Sequence, residues 1–181
     1  MTDSRRVRRF EEQVLPHLDS AHNLARWITR DAGLARDAVQ EGCLRAFRAL
    51  DTMQGPNVRS WFLAVIRNTS IDLLRERKGR GVEEQYDDDV HGNELMSGDR
   101  TATDPQDIAA RASDARWLHD SINALPREYR EVIVLRELEE LSYKEISAIV
   151  DIPIGTVMSR LARGRDLLQQ RMLFAHRQSR R

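Results

Sequence analysis

Residues 142–170 hold the side chains whose types and spacing could do chemistry, and that chemistry is recognition rather than bond-making. Thr156, Ser159, Arg160 and Arg163 fall on one side of a helical projection, flanked by Met158, Ala162 and Arg165. Arginine can bridge the acceptor edge of guanine with two hydrogen bonds, and small hydroxyls can contact bases or phosphates. The opposite side carries Val157, Leu161, Gly164 and Leu168 at i, i+4, i+7 and i+11, which is one packing face of a helix. From residue 142 onward eight basic side chains stand against three acidic ones, a balance suited to phosphate contact. A helical hairpin with a merely solvated basic face would share this composition.

The elements that must position these residues are legible nearby. Ser142 and Glu145 form the S-x-x-E pattern of a capping box, so a short helix starts there and ends near Val150. Asp151-Ile152-Pro153 makes the turn, and a last helix is expected from about Gly155 to Phe174. This is the spacing of a helix-turn-helix, in which the first helix braces the second. Upstream, Asp104-Pro105 predicts an N-cap and first turn for a helix over 105–123, Leu125-Pro126 breaks the chain, and another helix follows over 127–139.

The first 78 residues also read as helices, because apolar residues recur at three- and four-residue spacing and no strand-like alternation persists. One helical region covers about 6–30, with a break at Pro16; a second covers 35–50, with Val39, Cys43, Ala46, Phe47 and Leu50 on one face; a third covers 58–78, with Trp61, Phe62, Val65, Ile66 and Leu73 or Leu74 inward. Gly55-Pro56-Asn57 is a loop between them. The fold class expected is all-α, with two small helical domains, 6–78 and 106–175, joined by a flexible acidic linker over 79–105.

Composition narrows the function. The chain has 181 residues, and 29 Lys+Arg against 29 Asp+Glu give a formal net charge of zero. That zero hides a segregation: residues 1–80 hold 15 basic and 10 acidic side chains, 81–120 hold 3 and 11, and 121–181 hold 11 and 8. Two basic modules around an acidic spacer point to a nucleic-acid partner, or else to solvated helix faces around a tether. No apolar run approaches the roughly 18 residues of a membrane span, and no secretory signal opens the chain. Lone Cys43 excludes an internal disulfide, and the five scattered His show no ligand spacing, so no metal, no cofactor and a cytoplasmic setting are expected. No phosphate-binding Gly loop, dinucleotide motif, H-E-x-x-H or G-x-S-x-G is present, so catalysis by this chain is not expected.

The stretch Ile152-Pro153-Ile154-Gly155-Thr156-Val157-Met158-Ser159-Arg160-Leu161-Ala162-Arg163-Gly164-Arg165 resembles the C-terminal DNA-binding region of the extracytoplasmic-function (ECF) sigma factors of bacterial RNA polymerase. Ala124-Leu125-Pro126-Arg127-Glu128-Tyr129-Arg130-Glu131-Val132 and Leu141 to Ile146 are similar to the opening of that region. Residues 38–50 resemble the family's polymerase-binding helix, and Trp61-Phe62 through Arg67-Asn68-Thr69-Ser70-Ile71-Asp72-Leu73-Leu74-Arg75 resemble its −10 reading helix.

The resemblance implies roles by position. Asp37, Gln40, Glu41, Leu44, Arg45 and Arg48 would dock on core RNA polymerase. Met53, Gln54, Asn57 and Arg59 would hold a base flipped from the −10 element, and Arg67, Asn68, Ile71 and Arg75 would line the −10 DNA. Thr156, Met158, Ser159, Arg160, Ala162, Arg163 and Arg165 would read the −35 element. The implied partners are core RNA polymerase, promoter DNA and an anti-sigma factor, and the acidic segment would thread through the polymerase. Within this frame Asp72 and Arg75 have the spacing of a helical ion pair. Asp151, Met158, Gly164 and the Gly42-Cys43 pair depart from common family choices. The nearest rival is a conventional helix-turn-helix regulator, whose sensor or receiver domain should show α/β alternation.

Overall fold

The computed structural model describes residues 3–53, 55, 57–79 and 105–178. The acidic segment with Asp87, Asp88 and Asp89, the Asp104 cap, Gln54 and Pro56 lie outside the described residues. The described residues form helices only: α1 (Asp3–Gln13), α2 (Leu18–Thr29), α3 (Ala32–Ala49), α4 (Val58–Gly79), α5 (Pro105–Asn123), α6 (Arg127–Ile133), α7 (Tyr143–Val150) and α8 (Ile154–Gln178).

Local chemistry sets the breaks. Pro16 enters a short 3-10 turn, Leu15–His17, between α1 and α2. Arg30 ends α2 in a left-handed conformation, and the Asp31 carboxylate caps α3 by accepting from the Leu34 amide at 2.7 Å. The sequence pattern did not single out that cap. The expected helix over 127–139 is instead α6 followed by a π turn, Val134–Leu138, where the Glu139 amide reaches back five residues to the Val134 carbonyl at 3.1 Å.

The N-terminal module packs α2, α3 and α4 against one another, and Phe10 of α1 meets Phe47 of α3 edge-on at 5.5 Å. The inward face of α3 is rotated from the expected one. Ala35, Ala38, Gly42 and Ala46 are buried, while Val39, Cys43 and Phe47 are only half-buried beside them. The small residues let α3 and α4 approach closely: a Cβ on Gly42 would stand 2.5 Å from Cδ1 of buried Ile66. Gly42 is therefore a packing residue. Phe62 and Ile66 are central to the core as expected, whereas Trp61, Val65, Leu73 and Leu74 are at its edge.

In the C-terminal module α8 lies against α6 and α7. Val157 and Leu161 are buried, and Gly164 faces Ile133 and Tyr129 of α6, with a virtual Cβ 2.9 Å from Ile133 Cγ1. Each fully buried Leu, Ile or Val contributes on the order of 1.5–3 kcal/mol relative to exposure, so these seams hold the module together. The two modules also touch: α4 packs on α7, and α2 packs on α6 and the π turn.

Candidate nucleic-acid interface

The capping box is present on α7. Ser142 Oγ accepts from the Glu145 amide, and Glu145 accepts from the Ser142 amide at 2.8 Å. Asp151 adopts the left-handed conformation that ends α7, and Ser147 Oγ donates to the Ile152 carbonyl across the turn at 2.5 Å. An Asp tolerates this backbone because its short polar side chain costs little there.

With the turn fixed, α8 presents Met158, Ser159, Ala162 and Arg163 to solvent, and Thr156 is half-buried at its start. Met158 is 54% exposed. Ser159 Oγ donates to the Thr156 carbonyl at 3.0 Å. Two of the three arginines turn back onto the module. Arg165 donates to Glu137 at 2.6 and 3.1 Å, and this hydrogen bond raises its pKa. Arg160 lies 3.7 Å from Glu128. Arg163 makes no ion pair with a described residue, so it is the guanidinium best placed to meet a base edge.

On α3 the outward face exposes Asp37, Gln40 and Arg48, with Leu44 46% exposed among them. Glu41 and Arg45 pair on the same face at 2.9 Å. Arg45 also reaches Asp72 of α4 at 3.0 Å, so the expected Asp72–Arg75 helical pair gives way to a contact between helices. The physical reason is that the close α3–α4 seam brings the Arg45 fork within reach of Asp72. An exposed apolar side chain ringed by charges is a reasonable protein-docking face.

The residues expected to meet the −10 DNA have a different situation. Asn57 is exposed but its amide donates to Glu145 at 2.7 Å, and Ser60 Oγ donates to the same oxygen at 3.3 Å. Arg59 donates to Glu139 at 2.8 Å and to Ser20 at 3.2 Å. Arg67 makes a forked contact with Glu131, one arm at 3.3 Å, and donates to Asn68 at 3.2 Å. Arg75 is exposed and lines a cavity of about 780 Å³ between the modules with Lys78 and Arg127. Ile71 is only 6% exposed and belongs to the core, so the structure removes it from the surface that the sequence reading gave it. Its spacing with Arg67 and Arg75 is real, but the α4 face turns inward at that point. Met53 is half-buried beside the loop.

Three carboxylates of the C-terminal module thus close over one surface of the N-terminal module. The Glu131 side chain is 3% exposed and that of Glu139 is 6% exposed. Leaving either buried without its cation would cost about 3–5 kcal/mol. The Ser142 hydroxyl, then the Ser142 amide, hold the Glu145 carboxyl below its usual pKa, and Asn57 and Ser60 add to this.

Comparison with known proteins identifies the chain. Residues 14–80 match the family model for sigma-70 region 2, and residues 115–168 match that for sigma-70 region 4. The chain is 31% identical over 156 residues to the ECF RNA polymerase sigma-E factor of Escherichia coli, covering 83% of this chain and 81% of that one. The chain belongs to the ECF sigma factors. It is also 30% identical over 168 residues to the sigma factor SigE of Mycolicibacterium smegmatis, covering 88% of this sigma factor and 60% of that one. In fold, it matches the sigma factor RpoE of Bartonella quintana, solved with the anti-sigma factor NepR (TM-score 0.72, 23% identity, 90% and 96% of the two chains). It also matches CnrH, solved with the cytosolic domain of CnrY (TM-score 0.62, 22% identity, 93% and 89%). Sigma factors are transcription initiation factors, and the helical N-terminal module of this one shows none of the α/β pattern of a receiver domain among the described residues. No helix among them is long and apolar enough to cross a membrane.

Sequence reasoning passed over Glu131, Glu139 and Asn23, which complete the contact between modules, and Ser20, which helps to hold Arg59 from within the N-terminal module. Asn23 donates to Glu139 at 2.6 Å. Glu128 and Glu131 sit three apart on α6 with identical chemistry. Only packing makes one a half-exposed partner of Arg160 and the other a buried partner of Arg67.

Proposed function

We propose that this ECF sigma factor docks on core RNA polymerase through the outward face of α3 and directs initiation by reading a promoter at two places. Region 2, taken as 6–78, reads the −10 element with Asn57, Arg59, Arg67, Asn68 and Arg75. Region 4, taken as 106–175, reads the −35 element with the exposed side of α8, where Arg163 is the principal base reader and Arg160 and Arg165 flank it. The polymerase makes the phosphodiester bonds, and this chain has no catalytic step of its own. It acts in the cytoplasm, where the template and the enzyme are.

The observation that carries this reading is the order of two surfaces in one chain: the α3 face with exposed Leu44, then the protruding α8 with unpaired Arg163 among the described residues. A regulator that worked alone would need only the second. Control by an anti-sigma factor is supported by the similarity in fold to the sigma factor RpoE of Bartonella quintana, which was solved in complex with the anti-sigma factor NepR. Run-off transcription with bacterial core polymerase on a promoter library tests the assignment. Transcripts from templates sharing one −35/−10 pair are expected, and silence on every template refutes it.

A further inference from the structure

We propose that the cavity between the two modules is a binding site for a nucleoside polyphosphate, whose phosphoryl groups are held by arginines and a lysine that both modules supply. The site goes beyond the promoter-reading assignment and shares only Arg75 with it.

The cavity has a volume of about 780 Å³, within the range of roughly 300–1,000 Å³ of small-molecule sites. Three parts of the chain meet around it: the end of α2, the last turns of α4, and the connection from α5 into α6. Each brings positive charge. Arg30 comes from the end of α2, Arg75 and Lys78 from α4, and Arg127 and Arg130 from α6. No carboxylate stands among the described residues that line it. Elsewhere between the modules cations meet carboxylates, as Arg67 meets Glu131 and Arg59 meets Glu139. The cavity departs from that pattern.

Its arginines are held in two ways. Arg30 and Arg130 both donate to the carbonyl of Asn123 at the end of α5, Arg130 at 2.8 Å, and Arg130 is only 4% exposed. A neutral carbonyl orients these guanidinium groups without cancelling their charge. Arg75 and Arg127 are exposed and make no ion pair with a described residue, so their forks can turn to a ligand. Arginine does not relieve mutual repulsion by losing its proton, because the guanidinium stays charged at ordinary pH. An anion does relieve it, and phosphoryl oxygens suit the planar fork, which can give them two parallel hydrogen bonds.

The shape of the cavity narrows the anion. A single phosphate would satisfy one side of a space this large, whereas a chain of two or three phosphoryl groups spans it. Leu74, Leu125 and Pro126 add an apolar wall beside the cations, and the face of a base can lie on such a wall. The site is also divided. Arg75 and Lys78 belong to the N-terminal module, Arg127 and Arg130 to the C-terminal one, so the ligand is held only while the two are in contact. By linkage, a ligand that binds this arrangement also stabilises it.

Isothermal titration calorimetry of the full-length chain with ATP and with GTP, in EDTA to keep magnesium off the phosphates, tests the site. Saturable binding of one nucleotide per chain is expected for at least one of them, with inorganic triphosphate about tenfold weaker and adenosine giving no heat. K78Q and R127Q should each weaken the nucleotide about tenfold or more, the loss expected from one charge-assisted contact. R5Q removes an exposed arginine of α1 that does not line the cavity and should leave the affinity unchanged. Far-UV circular dichroism checks that each variant is folded. Absence of saturable heat with both nucleotides overturns the proposal. An equal loss in R5Q also overturns it, because diffuse charge attraction then explains the binding. A loss in only one of K78Q and R127Q removes the two-module site, and inorganic triphosphate as tight as the nucleotide removes the nucleoside. A mixed-sequence single-stranded DNA oligonucleotide is titrated into the same variants. If R127Q weakens the oligonucleotide as much as the nucleotide, the cavity is part of a DNA path and the proposal fails.

Discussion

Gly164 offers a test in which sequence and structure predict opposite signs. A glycine inside a long exposed helix costs about 1 kcal/mol relative to alanine, so Gly164→Ala should stabilise α8 on propensity alone. The packing says otherwise. The added Cβ would stand 2.9 Å from Ile133 Cγ1, 3.3 Å from Ile133 Cδ1 and 3.5 Å from Tyr129 Cβ. Rotating the end of the isoleucine moves Cδ1 but leaves Cγ1 in place, and Ile133 is itself 1% exposed. Relief therefore requires α6 and α8 to separate. Overpacking of this kind costs about 1–3 kcal/mol. The balance is a net loss of up to about 2 kcal/mol, and each kcal/mol lowers Tm by about 2–4 °C in a chain of this size. Urea and thermal unfolding followed by circular dichroism measure it. In an Ile133→Ala background the obstructing atoms are gone, and Gly164→Ala should then stabilise by up to about 1 kcal/mol. The coupling between the two sites should be about 1–3 kcal/mol. A single variant more stable than the parent, or equal effects in both backgrounds, would refute the packing argument.

Other expectations follow from the same geometry. Gly155→Ala, at a position with nothing within 4 Å of the added Cβ, should be neutral or stabilising by up to about 1 kcal/mol in the same unfolding assays. Asp31→Ala removes the α3 cap and the partner of Arg77, and should cost about 1–2 kcal/mol at neutral pH. Burial opposes the Asp31 charge, but the Arg77 guanidinium and the Leu34 amide outweigh it and hold its pKa below the usual value. Its contribution is thus complete above about pH 5 and is lost as pH falls through the folded pKa, so parent and Asp31→Ala unfolding curves should converge in acid. Arg163→Ala should weaken promoter use by about 1–3 kcal/mol and relax preference at one −35 position, read by run-off transcription over single-base variants. Leu44→Asp should reduce co-purification with core polymerase while leaving the unfolding midpoint within about 0.5 kcal/mol of the parent, since Leu44 is exposed.

The sequence by itself determined the helices and most of their ends. The Ser142–Glu145 box, the left-handed Asp151 and the break at Pro16 depend on atoms a few residues apart, so local pattern suffices to find them. The two-faced α8 was legible for the same reason, because helical periodicity sorts Val157 and Leu161 from Ser159 and Arg163 whatever else the chain does. Tertiary structure decided which like residues became unlike. It rotated the buried face of α3 to Ala35, Ala38 and Gly42, because close contact with Ile66 favours the smallest side chains rather than the most apolar. It took Ile71 into the core and gave Asp72 to Arg45 instead of Arg75. It also brought Glu131 to Arg67, Glu139 to Arg59 and Glu145 to Asn57, across 64, 80 and 88 residues of chain. No local rule specifies such pairs. Glu128 and Glu131 carry the same side chain three residues apart on one helix, and only the docking of one module on the other removes the water from around Glu131.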